Sequence, residues 1–142
     1  MEYKYIYRPI EEKDLDIIDS WWVGWNEKPI QRDLLPDNGY GGLVVELNGN
    51  IIAATYIYLT NSNMAHFDYL VSDPNHKGSP RWMKPLFEKL FQIAKNAGYR
   101  EVWGLSRVRG VARAFKRYGC VVSDKSYHMI YANDVVLNRI NN

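Results

Sequence analysis

A single cysteine, Cys120, in 142 residues excludes an internal disulfide, and with it the small stapled scaffolds of oxidising compartments. It begins a short apolar run, Cys120 to Val122, and reads as a core residue in a reducing setting. The three histidines, His66, His76 and His128, are too scattered to make a metal-ligand spacing with that one thiol. No apolar run approaches the ~20 residues a membrane span needs, and no basic leader precedes a hydrophobic segment. A cytoplasmic protein with no membrane partner is expected. Excess charge is missing too: 18 Lys and Arg against 16 Asp and Glu leave +2, too even a balance to argue for nucleic acid. What is present is an ordinary 46% of hydrophobic residues, in a length that makes one domain over residues 1–142 with a real core.

The charges are unevenly placed. Glu11, Glu12, Asp14, Asp16 and Asp19 lie near the start, whereas Arg107, Arg109, Arg113, Lys116 and Arg117 cluster late. A solvated helix face accounts for the basic cluster; steering of a polyanionic cofactor is the other reading.

Periodicity and turn residues divide the chain. Tyr3 to Tyr7 reads as a strand ended by Arg8-Pro9, and Glu11 to Gly24 as a helix with acids in its first turn and Leu15, Ile18 and Trp22 on one face. Leu43 to Leu47 and Ile51 to Thr60 flank Asn48-Gly49-Asn50, a hairpin signal, and Met64 to Ser72 follows another tight turn. A helix is expected from about Trp82 to Ala97, with Pro85 in its first turn and Gly98 closing it. Glu101 to Ser106 reads as a fifth strand and Arg109 to Tyr118 as a helix ended by Gly119. Val121 to Ser123 and Ser126 to Tyr131 read as a final hairpin.

The organising stretch is Ala65 to Ala97, which runs strand, loop, helix. Its loop carries His76, Lys77 and Arg81 and ends where the helix begins, so free backbone N–H groups and positive side chains converge on one spot. Such a place suits phosphate; a plain strand-to-helix connection is the alternative.

The element order and the segment YLVSDPNHKGSPRW resemble the GCN5-related N-acetyltransferase (GNAT) superfamily. That family's loop pattern is Arg or Gln, two residues, Gly, one residue, Gly or Ala. Lys77 takes the basic position and Gly78 the next, while Pro80 and Trp82 stand at the later small-residue positions. Pro80 has no N–H to offer a phosphate, and Trp82 would crowd a backbone that glycine leaves open. The family's later signature has Tyr four residues before Gly-Phe; here Phe115 and Cys120 hold the tyrosine and phenylalanine positions. Trp21-Trp22, Thr60-Asn61-Ser62 and Ser72-Asp73-Pro74-Asn75 also resemble a phage-borne branch.

The resemblance implies an α/β (α+β) fold: a mixed, mostly antiparallel sheet of six to seven strands with helices on both faces. It implies acetyl-coenzyme A as donor, a small-molecule or peptide primary amine as acceptor, and leaves a homodimer open. Strand four would splay from strand five and present Leu70, Val71 and Ser72 to the pantetheine arm, one of their N–H groups polarising the thioester carbonyl. The remaining cofactor candidates are His76, Lys77, Gly78, Ser79 and Arg81 in the loop, Ser106 and Arg107 after strand five, and Phe115, which has no hydroxyl to protonate a thiolate. The segment after helix one shapes the acceptor site in such proteins, so Trp22, Trp25, Tyr40 and Tyr58 are candidates there.

Transfer to an amine needs a base, since an ammonium has no lone pair. Strand periodicity places His66, Asp68, Leu70 and Ser72 on one face. An imidazole titrates nearer neutrality than a carboxylate, which favours His66, with Asp68 orienting it, binding the substrate cation or acting as base itself. Two rival readings stand beside this one. Pro80, Trp82 and Phe115 motivate a GNAT-fold binding or assembly protein without catalysis. The late basic cluster and the phage resemblance motivate acylation of a modified nucleobase, which requires salt-sensitive DNA binding.

Overall fold

The computed structural model describes residues 4–105 and 109–122, together with Val135 and Asn138. Five strands form one sheet in chain order: β1 (Tyr5–Pro9), β2 (Gly42–Leu47), β3 (Asn50–Tyr58), β4 (Met64–Ser72) and β5 (Glu101–Gly104). The first four pair antiparallel, and β5 joins β4 in parallel after a crossover. This is the mixed, mostly antiparallel sheet expected, with five strands among the described residues where six to seven were anticipated. Ser126 to Tyr131 with His128, and the cofactor candidates Ser106 and Arg107, lie outside the described residues; Val121 and Val122 are described and carry no strand.

Helix α1 (Glu12–Gly24) covers one face of the sheet, while α2 (Met83–Asn96) and α3 (Arg109–Tyr118) build the core on the other. Residues of β3 feed both layers, so Ile51 to Ile57 is buried without interruption, as a central strand with two covered faces must be. The α1 side gathers Ile18, Trp21, Val44, Ala54, Tyr56 and Val71. The α2–α3 side gathers Val45, Ala53, Ala65, Leu86, Phe87, Leu90 and Phe115.

The buried stripe of α1 differs from expectation. Asp14, Ile18 and Trp21 are buried, whereas Leu15 and Trp22 pack at the margin. The cause lies on β1: the Arg8 guanidinium bonds both Asp14 oxygens at 2.7 and 2.9 Å and Glu46 at 2.7 Å. Asp14 also accepts the Glu11 N–H at 2.8 Å in a reciprocal cap. That tether turns the helix so that positions 14, 18 and 21, not 15, 18 and 22, face inward.

A short 3₁₀ turn, Pro80–Trp82, leads into α2 and leaves Pro85 in the first helical turn, where its missing N–H costs nothing. The Trp82 indole is buried in the α2-side core, and its carbonyl accepts the Tyr7 hydroxyl at 3.0 Å. It therefore does not crowd the loop before the helix, contrary to what its position in the motif suggested. Among the described residues no helix is long and apolar enough to cross a membrane.

Candidate functional site

The site begins where two strands part. β4 and β5 pair only from Met64–Glu101 to Phe67–Gly104; beyond that, Asp68 to Ser72 keeps β3 on one side and has no strand on the other among the described residues. Gly104 permits the last pair: a Cβ there would lie 2.4 Å from the Phe67 ring. That ring stacks on Phe115 at 5.1 Å, and Phe115 on Phe87 at 3.9 Å, so the start of the gap is floored by aromatic packing.

β4 then bulges. Thr55 of β3 faces both Tyr69 and Leu70, and Tyr69 sits in the left-handed region at φ 58°. A bulky residue held there is strained by about 1–2 kcal/mol. The Asp68 carbonyl accepts from the Thr55 hydroxyl at 3.2 Å, which satisfies a fully buried polar group.

The bulge corrects the period-two expectation. Ala65, Phe67 and then Leu70 pack on the α2 side, while Tyr69 and Val71 pack on the α1 side. His66 and Asp68 therefore share a face, but Leu70 and Ser72 belong to the opposite one. Leu70, Val71 and Ser72 all lie past the point of parting. The Ser72 carbonyl accepts the Trp25 indole N–H at 2.7 Å, and Trp22 meets Tyr69 edge-on at 6.3 Å, so both tryptophans brace β4 from the end of α1.

After β4 the chain turns on Asp73, whose N–H bonds Ile52 at 2.8 Å and whose carboxylate takes the Asn75 N–H at 2.9 Å. The His76 ring lies against Gly78, where a Cβ would stand 2.8 Å from Nε2. That nitrogen is buried and without a hydrogen-bond partner. Lys77, Ser79 and Arg81 are exposed around it.

Beside the loop, a cleft of about 580 Å³ runs between the start of α2 and α3, lined by Pro80, Met83, Lys84, Val111, Arg113 and Arg117 among others. Lys84 also lies 5.9 Å from the Tyr118 ring centroid. Three cations in one cleft and an orphaned ring nitrogen in the adjoining loop suit a polyanionic ligand better than a neutral one. Lys84 was missed in the sequence, hidden in the polar face of α2; Arg113 and Arg117 registered only as a charge cluster. Phe115 is 7% exposed and its ring lies in the core rather than in this cleft. A smaller groove of about 310 Å³ lies past it, against Phe91, Val102 and Cys120, whose thiol burial pushes up from its ordinary range.

On the α1-side face, three rings stand in a row across three strands. Tyr58 of β3 pairs with His66 of β4, and His66 with Trp103 of β5; centroids are 5.5 and 4.0 Å apart. The Tyr58 hydroxyl donates to the Leu34 carbonyl at 2.8 Å, and burial holds its proton well above the usual phenol range. His66 Nδ1 lies 3.2 Å from the Trp103 carbonyl and Nε2 3.2 Å from Asp68 Oδ2. Asp68 Oδ1 accepts the Tyr69 N–H at 2.7 Å, so the bulge fixes the carboxylate.

Both His66 nitrogens thus face acceptors, yet a neutral imidazole carries one N–H. With Nδ1–H on the Trp103 carbonyl, the Nε2 lone pair confronts Asp68; a proton arriving at Nε2 satisfies both sides at once. The His66 and Asp68 side chains are 16% and 25% exposed, within reach of a ligand. Tyr40 is exposed at the end of a 3₁₀ turn (Pro36–Gly39), and among the described residues its side chain does not bond to the row. Trp103 was not singled out in the sequence; its only signal was an indole at an alternating position of a short strand.

No protein-family model matches this chain. No curated protein matches it either. Among solved structures it is similar to N-acetylglutamate synthase from Neisseria gonorrhoeae complexed with coenzyme A and N-acetyl-glutamate, at TM-score 0.68 and 16% identity over 84% of this chain and 28% of that one. It is similar to ribosomal-protein-alanine N-acetyltransferase from Brucella melitensis, at 0.62 and 15% over 92% of this chain and 100% of that one. An aminoglycoside acetyltransferase from an uncultured soil metagenomic sample, in complex with sisomicin, gives 0.62 and 18% over 92% and 97%. At such identities the likeness is one of fold: the chain has the mixed-sheet architecture of these acetyltransferases.

Proposed function

We propose that this chain is an N-acyltransferase that moves an acetyl group from acetyl-coenzyme A to a primary amine. The observation that carries the proposal is the parting of β4 from β5 after Phe67; the cleft between α2 and α3 adds Lys84, Arg113 and Arg117. The likeness in fold to proteins solved with coenzyme A supports it.

When bound, the coenzyme supplies an activated acyl thioester. The backbone of Leu70, Val71 and Ser72 holds the amide-rich arm, as a free sheet edge holds a peptide, and an N–H on that edge polarises the thioester carbonyl. Lys77, Arg81, Lys84, Arg113 and Arg117 offset the phosphate charge, with His76 in the same loop. Pro80 withholds one N–H from that set, and the cations of the cleft supply what it does not.

On the other face His66 is the base. An arriving ammonium donates to Asp68 and passes a proton to His66 Nε2, while Nδ1 stays on the Trp103 carbonyl. The freed amine attacks the acyl carbon, the C–S bond breaks, and the sulfur leaves as thiolate. Overall one ammonium and one thioester give one amide, one thiol and one proton. Because Phe115 replaces a phenol, the thiolate takes its proton from water.

Pro80 and the buried Phe115 ring favour a second reading, a chain that binds a partner through the same fold without catalysis. Titration calorimetry with acetyl-coenzyme A, followed by thiol release over a panel of primary amines, separates the two. Binding with amine-dependent thiol release supports the transferase; no heat of binding removes it.

A further inference from the structure

The row Tyr58–His66–Trp103 does more than present a base. Trp103 lies 4.0 Å centroid to centroid from His66 yet is 45% exposed, so one indole face is packed and the rest of the ring is open. Alternation places Met64 and Glu101 on the same side, two pairs away along the strands, and Met64 is exposed. Leu34, whose carbonyl takes the Tyr58 hydroxyl, is exposed at the other end of the row. Large apolar groups left in water around a half-buried acid–imidazole pair mark a place where something flat and apolar sits.

Two carboxylates belong to this part of the sheet: Asp68 beside His66, and Glu101 at the next position on Trp103's side of β5. Arg32, in the turn that carries Leu34, is paired with Asp19 at 2.8 Å. A carboxylate on the acceptor would face Asp68; an ammonium has its acceptors 3.2 Å apart in His66 Nε2 and Asp68 Oδ2.

We infer that the acceptor is a small arylalkylamine: a primary ammonium held between Asp68 and His66, joined by a short linker to a flat ring that stacks on Trp103. This rests on the transferase reading for its chemistry, but the binding geometry stands without it. Stacking on an open indole amounts to about a tenfold preference for an aromatic ring over a saturated ring of equal size and charge.

The test compares 2-phenylethylamine with 2-cyclohexylethylamine on the full chain, first as binding by calorimetry without coenzyme, then as kcat/KM with acetyl-coenzyme A. The expected result is about tenfold tighter binding of the aryl amine, a ratio kept in Trp103→Phe and lost in Trp103→Leu. Equal binding of the two amines, or a ratio that survives Trp103→Leu, overturns the inference. Preferential binding of the aryl amine with no turnover upholds this site while overturning the transferase reading. Turnover of glutamate or spermidine with neither test amine bound overturns the inference and leaves acyl transfer standing.

Discussion

Replacing Gly104 by alanine tests the aromatic floor of the gap. The added methyl would sit 2.4 to 2.6 Å from three atoms of the Phe67 ring, closer than any packed carbon tolerates. The ring cannot yield freely, because it stacks on Phe115 at 5.1 Å and lies 6.1 Å from Phe87. Overpacking a filled core costs about 1–3 kcal/mol, and a domain of this size loses roughly 3 °C of melting temperature per kcal/mol. Gly104→Ala should therefore melt roughly 3–9 °C below the parent. Phe67→Leu alone should also destabilise, since it empties part of the cluster. The double variant should be less damaged than the two single costs added together, because the smaller side chain admits the methyl. Thermal melts by circular dichroism on all four proteins give the coupling. An unchanged melting temperature for Gly104→Ala, or strict additivity in the double variant, would refute the argument that this glycine lets the Phe67 ring close the last strand pair.

Three further outcomes are expected. Asp14→Asn should destabilise by about 3 kcal/mol, because it leaves Arg8 half-paired in a site where Asp14 is only 1% exposed. Burial raises the Asp14 pKa, but the Arg8 guanidinium and the Glu11 N–H outweigh it and hold the carboxyl below its usual value. That stability is present above the ordinary carboxylate range and lost as pH falls through the lowered pKa, so urea midpoints at acid and neutral pH should converge for parent and variant only at the acid end. His66→Ala should lower kcat by about 10²-fold or more with coenzyme binding kept; unchanged turnover would remove the base assignment. Arg113→Glu should weaken coenzyme binding about tenfold and flatten its salt dependence, whereas equal affinity would place the phosphates elsewhere.

Local chemistry made much of the fold legible. Asn48 and Gly49, at φ 54° and 83°, form the tight hairpin that their identities announced, and Gly98 and Gly119 follow the ends of α2 and α3. His66 and Asp68 were placed on one face correctly because period two holds up to that point. It fails one residue later, since nothing about Tyr69 signals a left-handed backbone; the bulge is imposed by Thr55 and the parting strands, not by glycine. The rotation of α1 was equally hidden, because it depends on Arg8 reaching Asp14 from another element. Trp82 read as an obstruction in the motif because its side-chain direction is set by the core, and Trp103 went unremarked because its value comes from His66 on the neighbouring strand.

The most direct test of the open strand edge is amide hydrogen exchange across residues 68–72, with and without saturating coenzyme A. Clear slowing is expected in the peptide that contains Leu70, Val71 and Ser72 and in residues of the α2–α3 cleft, with no change in β1 or β2. Exchange in 68–72 that is the same with and without coenzyme, under conditions where calorimetry records binding, would contradict the proposal.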